Sequence, residues 1–432
     1  MSKASAERDS AMNETAPWPA HGGQADALLA RYGLPADHPL VDFSANLNPL
    51  GPPAWVPARL AELAAGLARY PAPDYAEARA AIARREGVGV DQVLLTNGGA
   101  EAIFLVAAAS AGRRAAIVQP TFTEYARACR ACGLAVDAIS LAPPDFALDP
   151  ERVAAQLGGC GLLFLCRPNN PTGTLVPREA VERLLALTEP LGCRVVIDEA
   201  FIDFVVEGDE RLTPLLGRFP HLLLLRSLTK CYTLPGLRLG YLLADSQTVR
   251  RVGAHQPPWS VNHLAAELVA PLLDDGEFMA RMRTWLLEER PRLALGLARR
   301  GLRVVPSRAN FFLVRPALGP ERLTGQSPRH TMPEPRAGRR GGHLPGMANV
   351  APMEGFTAPP RRPVDGSTRV TGPAAMALVS TDALFERLLR CGILVRHTHN
   401  FAGLDGGWLR LALRDRADND RLLAALSKEG EA

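Results

Sequence analysis

The stretch Cys193-Arg-Val-Val-Ile-Asp-Glu-Ala-Phe201 constrains the fold of this chain more than any other. Its β-branched residues read as a strand buried on both faces, and such strands belong to mostly parallel sheets covered by helices. The run ends in a carboxylate, Asp198, which therefore stands at the C-terminal mouth of the strand, where open α/β sheets place their ligands. Other short Val, Leu and Ile runs alternate with stretches rich in Ala, Leu and Arg. That alternation predicts an α/β fold with helices on both faces of a mostly parallel central sheet. At 432 residues the chain exceeds one ordinary core, and two domains are expected. A strand-end aspartate usually caps a helix or holds a salt bridge, so Asp198 alone specifies no chemistry.

An apolar strand also leads into the segment Leu224-Leu-Arg-Ser227-Leu-Thr-Lys230-Cys-Tyr-Thr-Leu-Pro-Gly-Leu-Arg238. A lysine after an apolar strand is ordinarily a surface residue. Here Ser227 and Arg238 flank it, one a neutral donor and the other a cationic donor suited to a phosphate dianion, while Lys230 can form a Schiff base with an aldehyde. An aldehyde joined to a phosphate describes pyridoxal phosphate. Asp198 would then keep the pyridine nitrogen protonated and make the ring an electron sink.

Two further turns follow strand-like runs. After Leu162 to Cys166 comes Asn169-Asn170-Pro171-Thr172-Gly173, turn chemistry that can aim an asparagine amide, expected to be that of Asn170, at the cofactor's phenolic oxygen or a substrate carboxylate. Val93 to Thr96 leads through Asn97-Gly98-Gly99 into a helical stretch, Ala100 to Ala111. Free N–H groups at such a helix start, at Gly99 and Ala100, bind phosphate. The G-x-G-x-x-G dinucleotide fingerprint is absent here.

Taken together in this order, the four segments resemble the fold type I pyridoxal phosphate enzymes, the aspartate aminotransferase superfamily, over nearly the whole chain. The resemblance implies a large cofactor-binding domain over 56–290, a smaller α/β domain over 291–432, and a segment, 19–55, that contributes to the small domain and the active site. It also implies a homodimer, because Tyr70 in Arg69-Tyr70-Pro71 matches a tyrosine that reaches the cofactor phosphate of the other subunit. Phe122 matches the aromatic that stacks on the ring, and Arg410 in Leu409-Arg410-Leu411 matches the arginine for the substrate α-carboxylate. Lys230 and Asp198 carry over as the catalytic pair.

Within the superfamily the chain looks nearest to the threonine-phosphate decarboxylases of cobalamin biosynthesis, with the histidinol-phosphate aminotransferases as near relatives. His21-Gly22-Gly23 and the segment Val41 to Pro52 resemble the decarboxylase entry region, and Phe201 stands where the aminotransferases generally carry a tyrosine. Losing that hydroxyl removes one hydrogen bond, ~1 kcal/mol net. Arg396 resembles the arginine that contacts substrate phosphate, with His21 and Asn46 as further substrate contacts. The implied reaction is decarboxylation of L-threonine O-3-phosphate, a small phosphorylated amino acid. Transamination uses the same residues, since the Cα bond held perpendicular to the ring is the one that breaks. A non-catalytic sensor on this fold would resemble a fusion to a helix-turn-helix module, and none precedes residue 20.

Two departures from relatives stand out. Ala100 replaces a common hydroxyl residue, leaving backbone N–H groups for phosphate at that turn. Residues 316–375, rich in Pro, Gly, Arg and Ser, replace a short turn and lack hydrophobic periodicity, which predicts a disordered insertion. That segment holds eight arginines and four acids, a surplus equal to the formal charge of the whole chain, +4. The basic balance is therefore no sign of a nucleic-acid-binding fold. Residues 1–18 read as a disordered tail without the apolar core of a signal peptide, and no stretch reaches transmembrane length without charge, so a cytoplasmic protein without membrane partners is expected. Seven scattered cysteines suggest reduced thiols. Neither Cys129-x-x-Cys132 nor His397-x-His399 is read as a metal site.

Overall fold

The computed structural model describes residues 18–317 and 380–427. The expected tail, Trp18 apart, and the insertion beyond Ala317 lie outside the described residues.

A short strand, β1 (Val41–Asp42), precedes seven strands of one sheet: β2 (Val93–Thr96), β3 (Arg114–Gln119), β4 (Ala135–Ser140), β5 (Cys160–Cys166), β6 (Arg194–Asp198), β7 (Leu222–Ser227) and β8 (Gly240–Leu243). In space they run β2-β8-β7-β6-β5-β3-β4. All pairings from β7 to β4 are parallel, and only β8 runs against its neighbours. Side chains alternate between the two faces, as the strand period requires. Leu163, Leu165, Val195, Ile197, Leu222 and Leu224 enter one core, whereas Leu162, Phe164, Val196, Leu223 and Leu225 enter another on the opposite face. The central strands are therefore apolar along their length because both faces are covered.

A second, antiparallel sheet is built from β9 (Leu302–Val304), β10 (Phe311–Pro316), β12 (Arg396–His397) and β13 (Leu409–Ala412), in the order β12-β13-β10-β9. Between β10 and β12 in sequence lies β11 (Ile393–Leu394), which pairs in parallel with β1. The run Gly392 to Arg396 therefore contributes to two sheets. Phe43 joins them: its N–H donates to the Leu394 carbonyl at 2.7 Å, and its carbonyl accepts from the Ala412 N–H at 2.8 Å. The helix predicted over Asp382–Leu389 spans Thr381–Arg390. Ser380 caps it, accepting from the Ala383 N–H at 3.1 Å, and Leu384, Phe385, Leu388 and Leu389 form its buried face. No helix among the described residues is long and apolar enough to cross a membrane.

Candidate active site

The C-terminal ends of β3, β5, β6 and β7 open onto a cavity of about 410 Å³, with β12 and β13 contributing side chains to it. It brings together His21, Asn46, Gly99, Ala100, Phe122, Asn170, Asp198, Ser227, Lys230, Arg238, Arg396 and Arg410, every site residue expected from sequence except Tyr70. Tyr70 lies apart and is 81 % exposed, its ring 4.7 Å from that of Trp259.

Strand alternation explains why Asp198 faces the cavity while Glu199 does not. Glu199 is buried between Arg167, at 3.0 Å, and Arg226, at 2.9 Å. Asp198 accepts from the Tyr125 hydroxyl at 2.6 Å and from the Ala200 N–H at 3.0 Å. Burial pushes its carboxyl above the usual range, and both hydrogen bonds oppose that rise. Phe122 meets Tyr125 edge-on at 5.7 Å and forms an aromatic wall beside the carboxylate.

Lys230 follows β7 on a four-residue helix, Leu228–Cys231. Its ammonium makes no hydrogen bond or salt bridge to any described residue. Burial, with Arg410 and Arg238 adding to it, lowers its pKa to about 8 against the pull of Asp198. The Lys230 carbonyl accepts from the Asn48 N–H at 3.2 Å, and the Asn48 side chain donates to the Cys231 carbonyl at 2.9 Å. The segment Ser44 to Pro52 is thus tied directly to the lysine loop.

At one end of the cavity the helix Gly98–Ala108 starts beside the Arg238 guanidinium. The approach is so close that a Cβ on Gly98 would lie 2.6 Å from an Arg238 nitrogen, and one on Gly240 would lie 2.8 Å from the Gly99 nitrogen. Gly98 also has φ +77°. Only glycines leave room here for backbone N–H groups to reach an anion. The Ser227 and Thr229 hydroxyls stand 2.7 Å apart on the cavity wall. Thr229 therefore supplies a hydroxyl to a cup whose helix start carries Ala100.

At the other end stand two arginines. Arg410 donates to Asn170 Oδ1 at 2.6 Å and to the Ser44 carbonyl at 2.5 Å, while its guanidinium lies over Phe311. Arg396 donates to the carbonyls of Pro19 and Ala20, to Asn400 Oδ1 and to His397 Nε2. Every one of these partners is neutral, and neither arginine forms a salt bridge among the described residues. Burial pulls both below the ordinary guanidinium range; for Arg410 the charge of Arg396 adds to this and the Asp42 carboxylate opposes it from beyond salt-bridge distance. Guanidinium keeps its proton, so what the two lack among the described residues is an anion in hydrogen-bond contact. Among the described residues, Lys230, Arg238, Arg396 and Arg410 share the cavity lining with two carboxylates, Asp198 and Glu124.

The model of the family "Aminotransferase class I and II" matches residues 38–426. The chain belongs to this family. Threonine-phosphate decarboxylase from Salmonella typhimurium is 35 % identical over 410 residues, covering 94 % of this chain and 95 % of that protein. Histidinol-phosphate aminotransferase 2 from Ralstonia nicotianae is 36 % identical over 294 residues, 67 % of this chain and 77 % of its own. The solved structure of L-threonine-O-3-phosphate decarboxylase from Porphyromonas gingivalis matches with a TM-score of 0.67 at 26 % identity, over 89 % of this chain and 97 % of that one. The fold type I architecture expected from the sequence is the one observed.

For a member of the class I and II aminotransferases, the residues fit pyridoxal phosphate. The glycine-lined helix start with Ser227, Thr229 and Arg238 suits its phosphate, Lys230 its aldehyde, Asp198 its ring nitrogen and Phe122 its ring face. Tyr125, Glu124, Thr229, Asn48 and Phe401 were not anticipated from sequence. Tyr125 falls three residues after Phe122 on the same helix entry, one turn of spacing that could have flagged it.

Proposed function

We propose that the protein decarboxylates L-threonine O-3-phosphate to (R)-1-amino-2-propanol O-2-phosphate, with pyridoxal phosphate as cofactor. The observation that carries this reading is the pair of buried guanidiniums, Arg396 and Arg410, lining one cavity with Lys230 and forming no salt bridge with a carboxylate among the described residues. A phosphorylated amino acid presents two anions a few bonds apart and answers both charges. The near full-length similarity to threonine-phosphate decarboxylase supports the same substrate.

Bound pyridoxal phosphate supplies an electron sink for the pair left on Cα when its bond to the carboxylate breaks. Asp198, kept in place by Tyr125 and Ala200, would hold the ring-nitrogen proton. Arg410, oriented by Asn170, takes the α-carboxylate, and Arg396 with His21 takes the phosphate. Fixing both ends restricts rotation about Cα, which selects the bond to break. Lys230 Nζ would return a proton to Cα once the carboxylate has left as carbon dioxide, and its lowered pKa suits that exchange near neutrality. Phe201, packed on Phe311 at 5.0 Å, offers no hydroxyl at the cavity wall.

The same reading makes the protein a cytoplasmic homodimer in which Tyr70 completes the site of the partner subunit, and makes its product the linker between corrin ring and nucleotide loop in cobalamin. It keeps the division into an N-terminal segment 19–55, a large domain 56–290 and a small domain 291–432. The test is direct. Purified protein is incubated with O-phospho-L-threonine, and carbon dioxide and aminopropanol phosphate are measured. Transfer of an amino group from histidinol phosphate to 2-oxoglutarate, with no carbon dioxide from phosphothreonine, would establish the aminotransferase instead.

A further inference from the structure

The segment that crosses the Arg396 end of the cavity is held from outside it. Trp18 does not line the cavity. Its ring stacks on His399 at 4.4 Å and 18°, packs on His397 at 4.4 Å and meets Phe385 edge-on at 5.5 Å, while the Arg31 guanidinium lies 4.4 Å from the ring centre. The next residues form a strap. Pro19 and Ala20 offer their carbonyls to Arg396 at 2.9 and 2.7 Å, and Asn400 donates to the Ala20 carbonyl at 2.9 Å. His21 reaches Glu124 at 3.3 Å, and the Gly23 N–H donates to Ser44 Oγ at 2.8 Å. Gly22 is pressed so closely on Ser44 that a Cβ would fall 2.2 Å from its carbonyl oxygen.

The Arg396 guanidinium is therefore aimed by acceptors whose positions depend on where the strap lies. His397 adds to the clamp. Arg396 Nη1 can only donate, so His397 Nε2, 2.6 Å away, accepts, and burial with the adjacent guanidinium keeps the imidazole neutral. The same imidazole is one of the surfaces on which Trp18 rests. Three groups, the indole, the imidazole and the guanidinium, thus form one stack of dependencies running from the outside of the strap to the cavity.

We propose that Trp18 is a positioning residue, the anchor of a strap that aims Arg396 and His21 at the anionic group farthest from the reacting carbon. The assignment of that group as the substrate phosphate rests on the function proposed above. Trp18 touches neither substrate nor cofactor; its effect passes through the Pro19 and Ala20 carbonyls. Misplacing a charged anchor by a fraction of an ångström weakens binding while leaving groups at the reacting carbon in place.

The test compares wild-type holoenzyme with Trp18→Ala, Trp18→Leu and Trp18→Phe. Trp18→Ala is expected to raise KM for O-phospho-L-threonine about tenfold with kcat within about twofold, whereas Trp18→Phe, which can still stack, stays near wild type. Hydrogen–deuterium exchange of a peptide covering residues 18–24 should speed up in Trp18→Ala and Trp18→Leu and remain slow in Trp18→Phe. Calorimetric binding of inorganic phosphate to the holoenzyme, its cofactor-phosphate site being filled, should weaken by a similar factor. That binding assay still reads the role of Trp18 if no decarboxylation is found, so failure of the functional reading and failure of this one are separable. Should Trp18→Ala not fold, Trp18→Leu keeps apolar volume without the stack and decides the matter. Unchanged exchange together with unchanged phosphate affinity, or a loss confined to kcat, would overturn the proposal.

Discussion

Arg396 and Arg410 stand directly opposite each other on the antiparallel strands β12 and β13. Like charges facing across a strand pair are destabilising, by a few tenths to about 1 kcal/mol even where solvent screens them. Here both are buried, and no carboxylate meets either among the described residues. The small sheet is thus built around a charge conflict that a bound anion would relieve.

Removing the two arginines should have different consequences. Arg396→Ala is expected to raise KM for phosphothreonine by about one to two orders of magnitude, the range of a lost charge-assisted hydrogen bond, with little effect on unphosphorylated threonine. Arg410→Ala should impair both substrates. Steady-state kinetics on the two substrates check this, and a thermal shift adds a second reading: phosphate should raise the melting temperature of wild type more than that of Arg396→Ala.

Lys230→Ala should give a protein in which borohydride no longer fixes the cofactor covalently, whereas wild type should lose its yellow colour and carry the label on Lys230. Mass spectrometry of the reduced protein locates the label. Turnover of Lys230→Ala at the wild-type rate would exclude the assignment.

The lowered pKa of Lys230 also predicts a pH dependence of stability in the cofactor-free protein. Between about 8 and 10.5 the unfolded chain holds a proton on this lysine that the folded chain has released. Stability from this group is therefore fully present above the unfolded value and is lost as pH falls through about 8. The effect is on the order of 3 kcal/mol, with folding favoured at the higher pH. Denaturant midpoints at pH 7.5 and 10 should converge less for wild type than for Lys230→Met, in which this contribution is missing.

Tyr125→Phe leaves Asp198 with one donor fewer. Its carboxyl, already raised by burial, should rise further and hold a ring-nitrogen proton as an ion less well. A fall in kcat of about tenfold is expected with a smaller change in KM, read from kinetics at saturating cofactor.

If Tyr70 serves the neighbouring subunit, mixing Tyr70→Phe protein with Lys230→Ala protein should restore activity, because a heterodimer holds one site free of both changes. Neither parent alone should reach the activity of the mixture after subunit exchange. A fully active monomer in sedimentation would rule the arrangement out.

Much of this site is legible in the sequence, because its parts sit where short apolar runs end: Asp198 closes β6, Ser227 closes β7, and Asn170 follows β5. Strand periodicity places such residues on one edge of a parallel sheet. Trp18, Glu124 and Asn48 were not legible, since they act through contacts with segments far away in sequence. Nor could residue order show that Arg396 and Arg410 would be register partners, because Gly392 to His397 divides between β11 and β12. The helix expected from Ala100 already begins at Gly98, where tight packing against Arg238, and not helix propensity, sets the boundary.

Because β13 pairs with both β10 and β12, the Arg410 end of the cavity is completed by a strand that leaves the ribosome after every strand of the large sheet. The lysine loop and its phosphate cup come from strands made long before. During synthesis the nascent chain can therefore pass through a stage that holds the residues around Lys230 but lacks Arg410, since segments that emerge first can fold first. A polypeptide halted before Leu409 would be expected to retain pyridoxal phosphate without discriminating among amines.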